Sequence, residues 1–215
     1  MRTGTDPRYF NKKRMVLAAA GLAVFAVIAY FVMTRDTLVV DTVIREFIYA
    51  GRSDGLTAFF TAMTYLGNWQ TVTPICLLFL LIPRVRMPYG FPVSIAAILA
   101  TVIQKSLKLA FRRIRPDLSL HLIEQGGYSF PSAHSFTGLV FYGLLIYLCR
   151  RNIKNRTVSN ILTVLLSVLV FLIGFSRIYL GVHYPTDVAG GWSLGICVLL
   201  IIISFLPDDG KRRSR

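Results

Sequence analysis

The segment Ser129-Phe130-Pro131-Ser132-Ala133-His134-Ser135-Phe136, "SFPSAHSF", runs directly into the apolar stretch Gly138–Leu148. A proline, hydroxyls and an imidazole at the mouth of a lipid-compatible run predict a helix that begins polar and continues greasy. Pro131 suits a first helical turn, where its missing N–H has no partner to lose. Ser132, Ala133 and His134 then lie at a helix entrance, where unpaired amides and the positive end of the helix dipole favour an anion. Serine and proline are also ordinary helix-start residues, so the octet acquires meaning only from the rest of the chain.

The surroundings of this segment are those of a membrane protein. The 215-residue chain is 54% hydrophobic with a mean hydropathy of +0.60, more apolar than a soluble core of that size needs. The excess is segmented into runs at Met15–Met33, Leu56–Ile82 (polar in the middle), Phe91–Ala110, Gly138–Leu148 with its polar lead-in, Val158–Phe175 and Val188–Leu206. With flanks, each approaches the roughly 17 to 25 residues that cross about 30 Å of hydrocarbon as a helix, whose backbone hydrogen bonds close internally. The expectation is an all-α polytopic membrane protein of six transmembrane helices, one integral-membrane domain over residues 1–215 with its motifs in 105–190.

The net charge of +14 would suggest nucleic acid in a soluble protein, but no basic-aromatic nucleic-acid module is present. The cations sit mainly in the connections. A cytoplasmic N-terminus puts Arg2, Arg8, Lys12, Lys13, Arg14, Arg84, Arg86, Arg150, Arg151, Lys154, Arg156, Lys211, Arg212, Arg213 and Arg215 on one side. That asymmetry satisfies the positive-inside rule, with both termini cytoplasmic and a bacterial plasma membrane as the fitting location. The acids Asp36, Asp41, Glu46, Asp54, Asp117, Glu124 and Asp187 fall on the opposite side.

The first run ends Phe31-Val32-Met33-Thr34-Arg35 without a small-residue cleavage site and is expected to be a retained helix. Leu38–Ile48 carries apolar residues at three- and four-residue intervals, which suits either an amphipathic helix on the outer membrane surface or a packed surface helix. Cys76, Cys149 and Cys197 are isolated, so neither a disulfide framework nor a zinc site is supported. Gly191 and Gly195 permit close helix approach. The sequon Asn155-Arg156-Thr157 falls on the cytoplasmic side and is discounted.

Three connections on the outer side concentrate polar residues. At the exit of the third run, Lys105, Lys108, Arg112 and Arg115 step by three, four and three, which aligns them on one face if the helix persists that far. Arg112 and Arg113 fit snorkelling to the headgroups. Lys105 and Lys108 lie deeper, where a charge costs about 2.5 to 3.5 kcal/mol on insertion scales and so tends to face a polar cavity. The second connection is the opening octet. In the third, Ser176–Asp187, Pro185 marks a helix entrance and Asp187 follows His183 by four residues. A carboxylate one turn on can accept the Nδ1–H of the imidazole and leave the Nε2 lone pair exposed, as a nucleophilic histidine requires. A purely structural His–Asp hydrogen bond is the alternative.

Taken together, Lys-x6-Arg-Pro, Pro-Ser-x-His and Ser-Arg-x5-His-x3-Asp resemble, in order and on one membrane face, the three signature motifs of the type 2 phosphatidic acid phosphatase superfamily. The resemblance covers Lys108 to Asp187, and the six-run pattern is similar to the integral-membrane branch. Ala133 departs from the glycine usual in the family. The resemblance implies a metal-independent phosphomonoesterase without cofactor. His183 is the expected nucleophile, Asp187 orients it, and His134 protonates the leaving alkoxide. Lys108, Arg115, Arg177, the Ser132 hydroxyl and backbone amides around Ala133 bind the phosphate.

A site at the outer bilayer edge takes a phosphate headgroup while the tail stays among the helices, so a membrane lipid phosphate is the implied substrate and partner. Small bacterial members point to phosphatidylglycerophosphate, with phosphatidate and undecaprenyl diphosphate competing. Lys105 is a candidate second substrate contact, and Asp117–Tyr128, with His121 and Glu124, a candidate headgroup-reading loop. A lipid-binding or lipid-translocating protein without turnover is the contrasting class, although binding alone does not require a nucleophile, its orienting acid and a proton donor together.

Overall fold

The computed structural model describes residues 11–35 and 38–206. Asp36 and the charged residues before 11 and after 206, among them Arg2, Arg8, Lys211, Arg212, Arg213 and Arg215, lie outside the described residues. Every regular element among the described residues is helical. In order they are α1 Lys12–Thr34, α2 Val39–Ala50, α3 Asp54–Tyr65, α4 Trp69–Leu81, the single turn α5 Pro83–Val85 with a π segment Arg86–Gly90, and α6 Phe91–Phe111. A 3₁₀ turn at Leu118–Leu120 then precedes α7 Ala133–Asn152, α8 Arg156–Tyr179 and α9 Pro185–Phe205.

Among the described residues four helical stretches are long and apolar enough to cross a bilayer: Lys12–Thr34, Pro83–Phe111, Arg156–Tyr179 and Pro185–Phe205. They correspond to the first, third, fifth and sixth apolar runs. The fourth run lies in α7, which at 20 residues has the length but carries serine, histidine and threonine at its start and Arg150-Arg151 near its end.

The second run differs from expectation: it is divided at Leu66-Gly67-Asn68 into α3 and α4 rather than forming one helix. The break sits where the chain must pass close to the bundle. A Cβ on Gly67 would lie 2.6 Å from Ile173 Cγ2 and 3.0 Å from His134 Cδ2. Tyr142 donates its hydroxyl to Leu66 O at 2.6 Å, satisfying a carbonyl left free by the helix end. At 13 residues, α4 extends only about 20 Å.

The core centres on α7, which packs against α6, α8 and α9, while α1 lies along α9 and α3 against α8. Phe136, Val140, Phe141 and Leu144 of α7 are fully buried, with Phe130 and Val93 beside them. Because lipid tails are as apolar as leucine, helix association here draws on close packing rather than on escape from water. Small residues therefore set the distances. A Cβ on Gly191 would meet Ser132 O at 2.8 Å and Ser135 Cβ at 3.0 Å, which accounts for the close helix approach expected of this glycine.

Gly191→Ala should consequently lower stability by about 1 to 3 kcal/mol, since backbone atoms of α7 cannot yield to the methyl group. Gly55→Ala, where nothing lies within 4 Å, should be neutral or stabilise by up to about 1 kcal/mol through helix propensity. Thermal unfolding in detergent distinguishes the two, and equal effects would refute the packing argument.

Candidate active site

The three polar connections meet at one end of the bundle. α6 ends at Phe111, and Arg112 caps it in the left-handed conformation, φ 49° and ψ 28°, its N–H bonded to Lys108 O. That turn breaks the single helical face expected for Lys105, Lys108, Arg112 and Arg115. Arg112 stays exposed, and Arg113 turns inward. The snorkelling expected of Arg113 is thereby corrected: its side chain is 5% exposed and lies between two fully buried carboxylates. Arg113 Nη2 donates to Asp41 Oδ2 at 2.7 Å, and Nη1 donates to Asp187 Oδ1 at 2.7 Å and Thr186 Oγ1 at 2.8 Å. Burial works against this cation, but Asp187 and Asp41 outweigh it and raise its pKa.

At the mouth of α7, Ser132 rather than Pro131 is the boundary residue. The helix starts at Ala133, and Pro131 stands one residue ahead of the cap. Ser132 Oγ accepts from Ser135 Oγ at 3.0 Å, and Ser132 N–H donates to Asp187 O at 3.0 Å. Its hydroxyl proton remains available, as do the amides of Ala133 and His134, which as first-turn residues have no acceptor within the helix. His134 Nε2 is hydrogen-bonded to Asn68 Oδ1, so the break between α3 and α4 supplies the residue that holds this imidazole.

The third connection is a tight turn. Gly181 has φ +81°, and a Cβ there would fall 2.0 Å from Leu120 O. The turn drives His183 inward, where it is 1% exposed; a connection between two apolar runs predicts a solvated histidine, and the structure makes it packed interior. His183 Nδ1 lies 3.2 Å from Asp187 Oδ2, and Arg115 Nη1 lies 3.1 Å from Nε2. A guanidinium can only donate, so Nε2 carries the lone pair and Nδ1 the proton. Asp187 Oδ2 also accepts from the Tyr184 N–H at 2.8 Å and from Ser129 Oγ. Burial, followed by the charges of Arg115, Lys108, Arg177 and Arg113, lowers the His183 pKa well below its ordinary 6.5. At neutral pH its ring is uncharged.

The remaining cations are held by oxygens from other elements. Lys108 Nζ donates to Tyr128 O and, at 3.3 Å, to Ser129 O. Arg115 bonds Gly127 O at 2.9 Å, Tyr128 O at 3.2 Å and Val182 O at 2.6 Å, and burial lowers its pKa to about 10, leaving it cationic. Arg177 donates Nη1 to Thr64 Oγ1 at 2.7 Å and Nη2 to Gln125 Oε1, while its buried Nε has no protein acceptor.

Of the residues expected in the site, His183, His134, Asp187, Lys108, Arg115, Ser132, Ala133 and Arg177 come together. Lys105 does not: it is exposed, and the buried polar residue of that turn is Gln104. His121 bonds Pro116 O at 3.1 Å and lines, with Glu124 and Gln125, a depression of about 400 Å³ that shares Gln125 with the site. Asp41, Asn68 and Thr64 carry no local signal, because each acquires its role from a partner distant in sequence, and the same holds for the contacts of Arg113 and of Gln125 within the Asp117–Tyr128 loop. Ser129, although within the opening octet, had been given no role. Among the described residues no group of three or more histidine, cysteine or acidic side chains is arranged to hold a metal ion.

The chain is 33% identical over 115 residues to phosphatidylglycerophosphatase B of Bacillus subtilis, covering 53% of this chain and 55% of that protein. It is 29% identical over 147 residues to an undecaprenyl-diphosphatase of Sulfolobus acidocaldarius, covering 66% of this chain and 65% of the relative. The alignments thus span between about half and two thirds of these curated relatives. The crystal structure of a transmembrane PAP2-type phosphatidylglycerolphosphate phosphatase from Bacillus subtilis superimposes with a TM-score of 0.79 at 25% identity, over 87% of this chain and 94% of that one. The PAP2 superfamily itself matches residues 89–211, more than half the sequence and all three polar connections, and the chain belongs to that superfamily.

Proposed function

We propose that this protein is a lipid phosphate phosphatase working through a phosphohistidine on His183. The observation that carries the proposal is the state of that ring: buried, neutral, with Nδ1 on Asp187 and its Nε2 lone pair facing a guanidinium. The formal charges point the same way. Lys108, Arg113, Arg115 and Arg177 outnumber Asp41 and Asp187 by two, four against two, which complements a phosphomonoester dianion.

In the first half-reaction His183 Nε2 attacks phosphorus, the bond from phosphorus to the lipid oxygen breaks, and His134 protonates the departing alkoxide. In the second, water attacks phosphorus, His134 takes its proton, the phosphorus–nitrogen bond breaks, and inorganic phosphate leaves with the lone pair returned to His183 Nε2. Arg115 Nη1 moves from Nε2 to an equatorial phosphoryl oxygen as the bond forms. Lys108, Arg177, the Ser132 hydroxyl and the amides of Ala133 and His134 hold the other oxygens; fixed cations and dipoles stabilise the charge developed in phosphoryl transfer. Ala133 contributes through its backbone, which a methyl group leaves available.

Phosphatidylglycerophosphate, converted to phosphatidylglycerol, is the leading substrate, supported by the names of the Bacillus relatives. An isoprenoid diphosphate such as undecaprenyl diphosphate is the competing one, supported by the Sulfolobus relative. The proposed topology has six crossings, α3 and α4 together forming the second, with cytoplasmic termini and the site at the outer face of a bacterial plasma membrane. The arginine and lysine asymmetry of the connections supports this orientation.

His183→Ala should lower turnover by at least about a thousandfold while the protein remains folded by thermal unfolding. Substrate labelled in the phosphate should leave acid-labile label on the wild type alone; near-normal turnover by the variant would sink the covalent route. Because the His183 pKa lies below 6.5, its nucleophilic neutral form persists as pH falls through that value. The acid limb of kcat/KM should therefore fall below pH 6.5, and a limb at or above it would contradict the assignment of this base. Phosphate release should also survive EDTA, whereas loss on chelation restored by one divalent metal would replace this chemistry with a metal-dependent one.

A further inference from the structure

The acid of the His–Asp pair does not stand alone. Asp187 Oδ1 is held by Arg113 Nη1 at 2.7 Å, and the other edge of the same guanidinium is held by Asp41 Oδ2 at 2.7 Å. Asp41 belongs to α2, 146 residues before Asp187 and outside all three signature motifs. It is fully buried although its helix carries exposed Val39, Val43 and Phe47 on the other side. Its second oxygen accepts the Thr186 N–H at 2.9 Å, and Oδ2 also accepts the Thr186 hydroxyl at 2.8 Å. Thus α2 grips the first turn of α9, immediately beside Asp187. The ring of Tyr184, adjacent to His183, lies 4.0 Å from the Arg113 guanidinium carbon and 4.9 Å from that of Arg45, which fixes the guanidinium plane from a third side.

We propose that Arg113 and Asp41 are positioning residues of the reaction: the planar guanidinium, clamped by Asp41, sets where the Asp187 carboxylate stands and thereby aims His183 Nε2 at phosphorus. The role rests on the phosphohistidine reading above. Its physical logic is the geometry of the fork. The two terminal nitrogens of one rigid plane each hold one carboxylate, which ties the two at a fixed separation as an ammonium on a flexible stem cannot. Arg113 also tempers the acid. By partly neutralising Asp187 it keeps that carboxylate from holding His183 as an imidazolium, alongside the charges of Lys108, Arg115 and Arg177 around the same ring. The α2 surface helix is on this account part of the catalytic apparatus rather than only a membrane contact.

The test compares wild type, Arg113→Lys, Arg113→Met and the double variant Arg113→Met/Asp41→Asn, with phosphatidylglycerophosphate in detergent micelles as substrate. Released phosphate is followed from pH 4.5 to 9, roughly the range over which a shifted histidine titrates. Folding is checked by thermal unfolding. Wild-type turnover that His183→Ala abolishes is the first requirement; without it the phosphatase reading falls and this role falls with it. Given that turnover, Arg113→Met should lose about tenfold to a hundredfold in kcat with little change in KM, the scale seen when a partner orienting a working histidine is removed. Its acid limb should move up by roughly one pH unit, because a cation that opposes protonation of His183 has gone.

Arg113→Lys should keep the acid limb near that of wild type, since the charge is retained, yet remain slow because one ammonium cannot bridge both carboxylates. The double variant removes both members of the pair and should recover the folding lost by Arg113→Met while staying slow with a raised acid limb. Wild-type kcat and acid limb in the folded double variant would overturn the proposal. So would a kcat loss in Arg113→Met and Arg113→Lys that merely tracks the folded fraction with KM and acid limb unmoved. Should Arg113→Met fail to fold, the lysine and double variants decide the matter.

Discussion

The site is built around a buried guanidinium between two buried carboxylates. Breaking such a pair by removing one member costs about 3 to 5 kcal/mol, because an uncompensated charge stays behind in a medium that solvates it poorly. Asp41, Arg113 and Asp187 have essentially no access to solvent, so each draws its compensation from the others rather than from water. This constraint seats α2 on the start of α9, turns the chain inward after α6, and determines which oxygen of Asp187 is left for His183. The left-handed cap at Arg112 is the local consequence. It ends the helix at the residue needed for Arg113 to point into the bundle while Arg112 points out.

Around that anchor Lys108 and Arg115 are positioned by backbone carbonyls, and Arg177 by the side-chain oxygens of Thr64 and Gln125, rather than by more acids. Gly127, Tyr128, Ser129 and Val182 offer their C=O groups to Lys108 and Arg115. Carbonyl dipoles orient a guanidinium without cancelling its charge, which preserves the positive surplus of the site. Additional carboxylates would hold the same side chains equally well but neutralise the site. Such fixed dipoles and charges cost no reorganisation when negative charge develops on the phosphoryl oxygens.

Packing between helices brings these groups into range, and it depends on absent side chains. A Cβ at Gly174 would lie 2.3 Å from Trp192 Cζ2, and one at Gly190 would lie 2.6 Å from the Phe130 ring. These contacts draw α7, α8 and α9 together at the end where His134, Arg177 and His183 sit. Where lipid competes equally for apolar surface, such fit is the main source of preference for one helix arrangement over another.

The features legible in the sequence are those that depend on near neighbours. Apolar runs became helices because their period and length are local properties. Pro185 opens α9 as its missing N–H predicts, and the four-residue spacing from His183 to Asp187 delivers the contact that one helical turn implies. The three motifs likewise announced most of the residues that gather at the site. What the tertiary structure decided is every choice between equivalent local options. Arg112 and Arg113 are the same residue type in succession, and only carboxylates 72 and 74 residues away select the second for burial. The second apolar run reads as one span, yet it breaks at Leu66-Gly67-Asn68, where Ile173 and His134 leave no room for a side chain at Gly67. Lys105 shares a sequence spacing with Lys108 but faces outward, and His183 lies in the interior rather than in a solvated turn. Spacing along a chain specifies relative direction within one element; burial and ion pairing depend on what the other elements bring to meet it.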